Sequence, residues 1–471
     1  MVTQNIPRIK EQALRKKILD QEYLDFTNKS KLKVVQEYRA KYDAISLILE
    51  VNPKVLDIAH SDFSRALSKS EYGRKGFTSE QILRSIVVMF IEEKSYRDAV
   101  ILVENSEFLR NFIKLGNKAM MDFTFLCKAY AALSEETWKA INEALNGYAK
   151  KEGKITEEKL RLDTTAYETN IHYPTDSSLL WDSYRTAARL MRGVSEMMKA
   201  LGLTHRFHTK KVRKLALFIS RNGDKKDKRV QQKIKSIYKK LIGRVRWIAS
   251  VGAIAMELLS KAMEHEAIAA AAELKRYLSI IGKIISQAER RVLLGEKVPS
   301  TEKVYSLFED HTELIKRGKA RKPIEFGHKI LLAETGEKFI IHYETMSKQR
   351  ADKELIQGSL KAHKKVFRCS PDILAGDKGF YESREQLDKL SEKIETVSIC
   401  KKGRRTEEED RRESTEEFKA GQRFRAGIEG TISVLKRAFK LGRCFFKGFK
   451  NFASSVGCAV FCHNLVMLAR T

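Results

Sequence analysis

The chain has 471 residues, with 90 Lys and Arg against 61 Asp and Glu and a formal charge of +29. That length allows two or three domains with a full core. So large a positive charge repels itself unless a polyanion is the partner, which makes nucleic acid the first expectation and an anionic membrane the second.

The first residues, MVTQNIPRIKEQALRKK, lack the apolar core of a signal peptide, and no run of ~18 uninterrupted apolar residues follows. An intracellular protein is expected. Only six prolines in the chain point to a mostly helical structure. Residues 1–150 read as helices. FTSEQILRSIVVMF carries Thr78 and Gln81 as a capping box. SYRDAVILVEN starts again at Ser95, and SEFLRNFIKLG runs from Ser106 to Gly116. Short helices with tight turns suit either a helix-turn-helix unit or a plain bundle.

Residues 158–168, EKLRLDTTAYE, read as a strand that carries Asp163. Asp176 and Glu168 are the rival acids, and Asp176, after Pro174, is expected to cap the next helix. From about 177 to 322 the pattern is helical. Within 206–247 there are 16 Lys or Arg and only two Asp. Lys210, Lys211, Arg213, Lys214, Lys225, Lys226 and Arg229 stand out there. Acids normally alternate with bases on a solvated helix face, so this single-sign excess favours phosphate contact. The interleaved Leu215, Phe218, Ile234, Ile237, Tyr238 and Trp247 read as core.

Beyond 325 the texture turns to β. FGHKILLAET and EKFIIHYETM form a hairpin around Thr335 and Gly336. DKELIQGSLKAHKKVF is a helix, PDILAGDKGF a strand ending on Asp377, YESREQLDKLSEK a helix and IETVSIC a strand. KKGRRTEEEDRRESTEE reads as a charged loop. A long helical region, FRAGIEGTISVLKRAF, and a final apolar helix near 452–469 complete the chain. This order suits a mixed α/β sheet with helices on its faces. The six cysteines form no CxxC pair, which argues against a zinc ribbon. Cys458, Cys462 and His463 read as core.

Three acids recur beside small residues: Asp163, Asp377 and Glu429. On one helix, Arg425, Glu429 and Lys436 share a face, and Ile428, Ile432, Leu435 and Phe439 make an adjoining apolar stripe. An intrahelical ion-pair ladder is one reading of that face. The other is convergence of the three acids on divalent metal, since hard cations such as Mg²⁺ take carboxylate oxygens. His172 as a general base and Trp181 as a base-stacking platform are weaker readings.

These blocks resemble the DDE transposases of bacterial insertion sequences, in the branch with an Arg-Glu-Lys signature around the last acid. DTTAYETNIHYPTDSSLLWDS is similar to the first-acid block, AGDKGFYE to the second, and RAGIEGTISVLK to the third, across roughly residues 70–465. Gln422 stands where that family often has Tyr. The resemblance implies an RNase H-like catalytic core over 151–471, interrupted by a basic helical insertion at 177–322, and an N-terminal DNA-binding domain over 1–150. It further implies that Asp163, Asp377 and Glu429 are catalytic and bind two Mg²⁺, with Mn²⁺ as a substitute. Arg425 and Lys436 are then expected on phosphates. Double-stranded DNA is the expected partner, a homodimer or larger assembly forms on it, and a bacterial, nucleoid-associated location follows, with no membrane. A catalytically silent protein that occupies element ends, and a metal-dependent nuclease without strand transfer, are the alternatives.

Overall fold

The computed structural model describes residue 16 and residues 30–67, 76–200, 202–316, 323–348 and 350–470. The N-terminal stretch inspected for a signal peptide lies outside the described residues, apart from Lys16. The chain divides into two units, Met1–Glu168 with Lys329–Thr471, and Thr169–His328.

Among the described residues, the first unit has seven helices ahead of its first strand: α1 (Lys33–Val51), α2 (Pro53–Leu67), α3 (Ser79–Ile91), α4 (Tyr96–Glu104), α5 (Glu107–Ile113), α6 (Phe123–Ala132) and α7 (Glu135–Lys151). Their starts are set locally. Thr78 and Gln81 close a capping box on α3, and the hydroxyls of Ser95 and Ser106 accept from Asp98 and Leu109 N–H. Residues Ser79–Phe90 of α3 are all buried. These helices share one apolar core with the sheet, through residues such as Phe90, Trp138, Leu162, Leu332 and Phe461.

Strand β1 (Lys159–Thr169) leads into the second unit. There α8 (Asp176–Gly193), α9 (Ser195–Ala200), α10 (Thr209–Asn222), α11 (Lys228–Ser260) and α12 (His265–Ala288) build their own core around Leu180, Met191, Leu241, Ile248 and Ile281. Strand β2 (Glu313–Lys316) pairs antiparallel with the first half of β3 (Ile324–Thr335).

The second half of β3 returns to the first unit. It is followed by β4 (Ile340–Thr345), α13 (Ile356–Phe367), β5 (Ile373–Gly376), α14 (Arg384–Ser391) and β6 (Thr396–Ile399). Then come α15 (Glu407–Ser414), α16 (Glu416–Ala426), α17 (Ile428–Ala438), β7 (Arg443–Cys444) and α18 (Phe449–Leu468). The sheet is mixed, with seven strands among the described residues. Its strand order within the first unit is β4-β3-β1-β5-β6, with β7 beside β1. Strand β1 is parallel to β5 and β5 to β6, while β3 and β4 form the antiparallel hairpin. This arrangement is consistent with an RNase H-like DDE domain.

Three local expectations are corrected. KKGRRTEEEDRRESTEE is not all loop, because Thr406 and Glu409 close a capping box that starts α15. Thr175, not Asp176, caps α8, using Ser178 as its partner. The signature region is not one continuous helix, since α16 ends at Ala426 and α17 begins at Ile428. Helix α18 is long and apolar enough to cross a membrane by composition. Its residues, Cys458, Cys462 and His463 among them, are nonetheless buried in the core of the first unit.

Candidate active site

Asp163 lies in the middle of β1, buried at 8% exposure. Its Oδ1 accepts from Thr164 N–H at 2.7 Å. Asp377 follows the last residue of β5 and caps a short 3-10 turn, Lys378–Phe380, by accepting from Gly379 N–H at 2.7 Å. The spacing Asp-Lys-Gly has a steric reason. A Cβ on Gly379 would lie 2.7 Å from Asp352 Oδ2 and 2.9 Å from Asp377 Oδ1, so a side chain there would push both carboxylates from their present positions. Glu429 is in the first turn of α17, with its side chain 69% exposed.

Arg425, near the end of α16, joins two of these acids. Its Nη2 donates to Asp163 Oδ2 at 3.4 Å, and its Nη1 lies 3.6 Å from Glu429 Oε1. Burial pushes the Asp163 carboxyl up to about 6. Arg425 and the Thr164 N–H oppose that rise, while the charges of Asp377 and Glu429 add to it. All three acids therefore act on one electrostatic locus, although they come from β1, the end of β5 and α17.

The donor set fits a hard divalent cation in chemical type, being carboxylate oxygens with one acid already burdened by its neighbours' charge. It is not a preformed cage. Among the described residues, no three His, Cys, Asp or Glu side chains are gathered closely enough to hold a metal ion. Asp377 is engaged by its own turn, and Glu429 faces outward against Arg425.

Other expected residues fall as follows. Lys436 is half-buried on α17, while Ile428, Leu435 and Phe439 face the core. Gln422 points inward. Its Nε2 donates to Ser398 O at 2.7 Å and to Gly376 O at 3.3 Å, clipping α16 to the ends of β6 and β5. In the second unit, Asp176 is a structural clamp, accepting from Gln287 at 3.1 Å and pairing with Arg291 at 2.7 Å. His172 sits 3.4 Å from Asp182, and Trp181 packs against that unit's core. Ile234 and Tyr238 are buried there too, whereas Trp247 is 36% exposed beside His205 and Phe207.

The seven bases singled out in this segment are exposed. Lys210, Lys211, Arg213 and Lys214 project from α10. Lys225 and Lys226 follow in the connection, and Arg229 opens α11. None of these seven pairs with a carboxylate of the described residues.

Sequence reasoning missed Arg161, Glu334 and Thr431, which lie buried beneath this site. A signal was available for one of them: Arg161 stands between Leu160 and Leu162 in an otherwise apolar run. A charge at such a position is costly unless paired.

The mixed sheet thus presents one acid at the middle of β1 and one just past the end of its parallel neighbour β5, with a third on the adjoining α17. Residues 305–465 match the family model of the transposase DDE domain. That match spans about a third of the chain and supports a relation to the transposase DDE domain over those residues. It covers Asp377, Arg425, Glu429 and Lys436, and the geometry adds Asp163 from outside the matched residues. Comparison with curated proteins and with solved structures returned no match.

Proposed function

We propose that this protein is an active DNA transposase of the insertion-sequence type, cutting the ends of an element and joining them to target DNA. The observation that carries the reading is Arg425 bridging Asp163 and Glu429, at 3.4 Å and 3.6 Å, with the charge of Asp377 also acting on Asp163. Divalent ions held by these three acids, Mg²⁺ or its substitute Mn²⁺, would activate the attacking hydroxyl and stabilise the departing oxygen.

The chain's own residues supply positioning and charge. Asp163 is held on a central strand, where a rigid support fixes its oxygens. Arg425 can turn from the acids to a phosphate with two parallel N–H donors, and Lys436 adds a point charge from the next helix. Hydrolysis at the element's end frees a 3′-OH, which then attacks target DNA in line. The RNase H-like region over 151–471, the basic helical insertion over 177–322 and DNA contact by the N-terminal helices belong to the same reading. The exposed bases of α10 and α11 would hold duplex phosphates without reading sequence. Cutting two ends together calls for a dimer or larger assembly on the DNA, in a bacterial cytoplasm at the nucleoid.

The test is a Mg²⁺-dependent reaction on a labelled duplex carrying the element's own end, with wild type, Asp163→Asn and Glu429→Gln. Nicking at the end and joining to a plasmid by wild type alone, with DNA binding kept in all three, supports the reading. Tight binding without any cutting by wild type would assign a repressor-like occupant of element ends instead.

A further inference from the structure

Beneath the acids lies a buried polar network that packing alone does not require. Arg161 is two residues before Asp163 on β1, so both side chains leave the same face of the sheet. Its Nε donates to Glu334 Oε2 at 3.0 Å, and its Nη1 donates to Phe424 O at 2.7 Å. The guanidinium also lies over the Phe424 ring, 4.7 Å from its centre. Glu334 accepts a second bond at Oε1, from the Thr431 hydroxyl at 2.7 Å. Glu334 is fully buried, and Arg161 and Thr431 are each 4% exposed.

We infer that the Arg161–Glu334 pair is a positioning device that sets Glu429 and Arg425 against Asp163. It rests on the reading of those residues as the catalytic site. Phe424 immediately precedes Arg425, and Thr431 is two residues beyond Glu429. One ion pair thus grips α16 on one side of the site and α17 on the other, and ties both to β1.

Two further features are built around it. The register between β3 and β4 shifts between Ala333 and Glu334, and such irregularities re-aim side chains near active sites. At the break between α16 and α17, a Cβ on Gly427 would lie 2.3 Å from Arg161 Nη1, so glycine there lets the guanidinium reach the backbone. A buried ion pair seldom adds stability over apolar residues of like volume, because both charges must be desolvated. What a charged network adds is direction, and here it is directed at the two segments that carry the site.

The experiment uses the full chain and two variants, Thr431→Val and the double replacement Arg161→Met with Glu334→Leu. Mn²⁺ binding is followed by loss of the free-ion electron paramagnetic resonance signal, with Asp163→Asn as the background. Amide hydrogen exchange over residues 425–431 is measured without metal, and duplex affinity is measured in parallel. The double variant is expected to melt within a few degrees of wild type and to keep its DNA affinity. Its Mn²⁺ binding should weaken at least about tenfold, in the range seen when groups supporting metal ligands are lost. Thr431→Val should weaken it roughly two- to tenfold, as for one hydrogen bond. Exchange over 425–431 should quicken in both. Wild-type Mn²⁺ affinity and exchange in folded variants would overturn the inference, and if the double variant does not fold, Thr431→Val decides alone. Wild-type binding no better than that of Asp163→Asn would remove the reading of the acids, and the positioning role with it.

Discussion

Arg425 Nη2 lies 3.4 Å from Asp163 Oδ2, although the two residues are 262 positions apart. The same guanidinium reaches Glu429 one helical turn on, at 3.6 Å. A single cation therefore balances two of the three acids.

Replacing Arg425 by Gln should slow end cleavage by roughly ten- to a hundredfold, because a hydrogen bond to a charged group contributes roughly 1.5–3 kcal/mol. Single-turnover cleavage at saturating DNA checks this. Arg425→Lys should recover only part of the rate, since an ammonium cannot bridge two partners in the fork geometry of a guanidinium. Full activity in Arg425→Gln would show that the pairing with Asp163 serves folding alone.

The exposed bases of α10 give a salt-dependent prediction. Changing Lys210, Lys211, Arg213 and Lys214 together to Gln should weaken duplex binding and leave the melting temperature within a few degrees. The slope of log affinity against log salt should fall by roughly 0.9 for each phosphate that is no longer neutralised. An unchanged slope over a salt titration would place the DNA elsewhere.

Gln422 is committed to the protein interior, which predicts a stability effect rather than a DNA effect. Gln422→Ala removes donors to Ser398 O and Gly376 O and should cost about 1–2 kcal/mol in urea unfolding. Duplex affinity should stay at the wild-type value. Weaker DNA binding in a variant of undiminished stability would return this position to the DNA-contacting role that a tyrosine has in the family resembled.

His463 makes stability pH-dependent. Burial lowers its pKa to about 4, against a bond to Lys338 O that favours the charged ring. The unfolded chain titrates near 6.5 and so binds the proton first as pH falls. The neutral ring's contribution is therefore complete above about 6.5 and is lost between there and about 4, by up to about 1.4 kcal/mol per pH unit. Thermal unfolding at pH 7.5, 6 and 5 should show this decline, and His463→Gln should flatten it. Equal slopes in both proteins would mean that other groups dominate.

Much of the local structure is legible in the sequence because its causes lie three or four residues apart. The capping box of Thr78 and Gln81, the caps at Ser95 and Ser106, and the strands carrying Asp163 and preceding Asp377 are of this kind. Even α15 is announced by Thr406 and Glu409, and only the density of charge around them makes the segment read as loop. Spacing also singles out Arg425, Glu429 and Lys436. What the sequence could not decide is everything that depends on burial and on partners far along the chain. Whether Asp163 or Asp176 joins Glu429 is a matter of tertiary placement: Asp163 meets Arg425, while Asp176 is taken up by Gln287 and Arg291. The inward turn of Gln422, the helix break at Gly427 and the Arg161–Glu334 pair arise only when α16 and α17 close over β1 and β3. A buried charge is tolerated where its partner is waiting, and the partner of Arg161 stands 173 residues away.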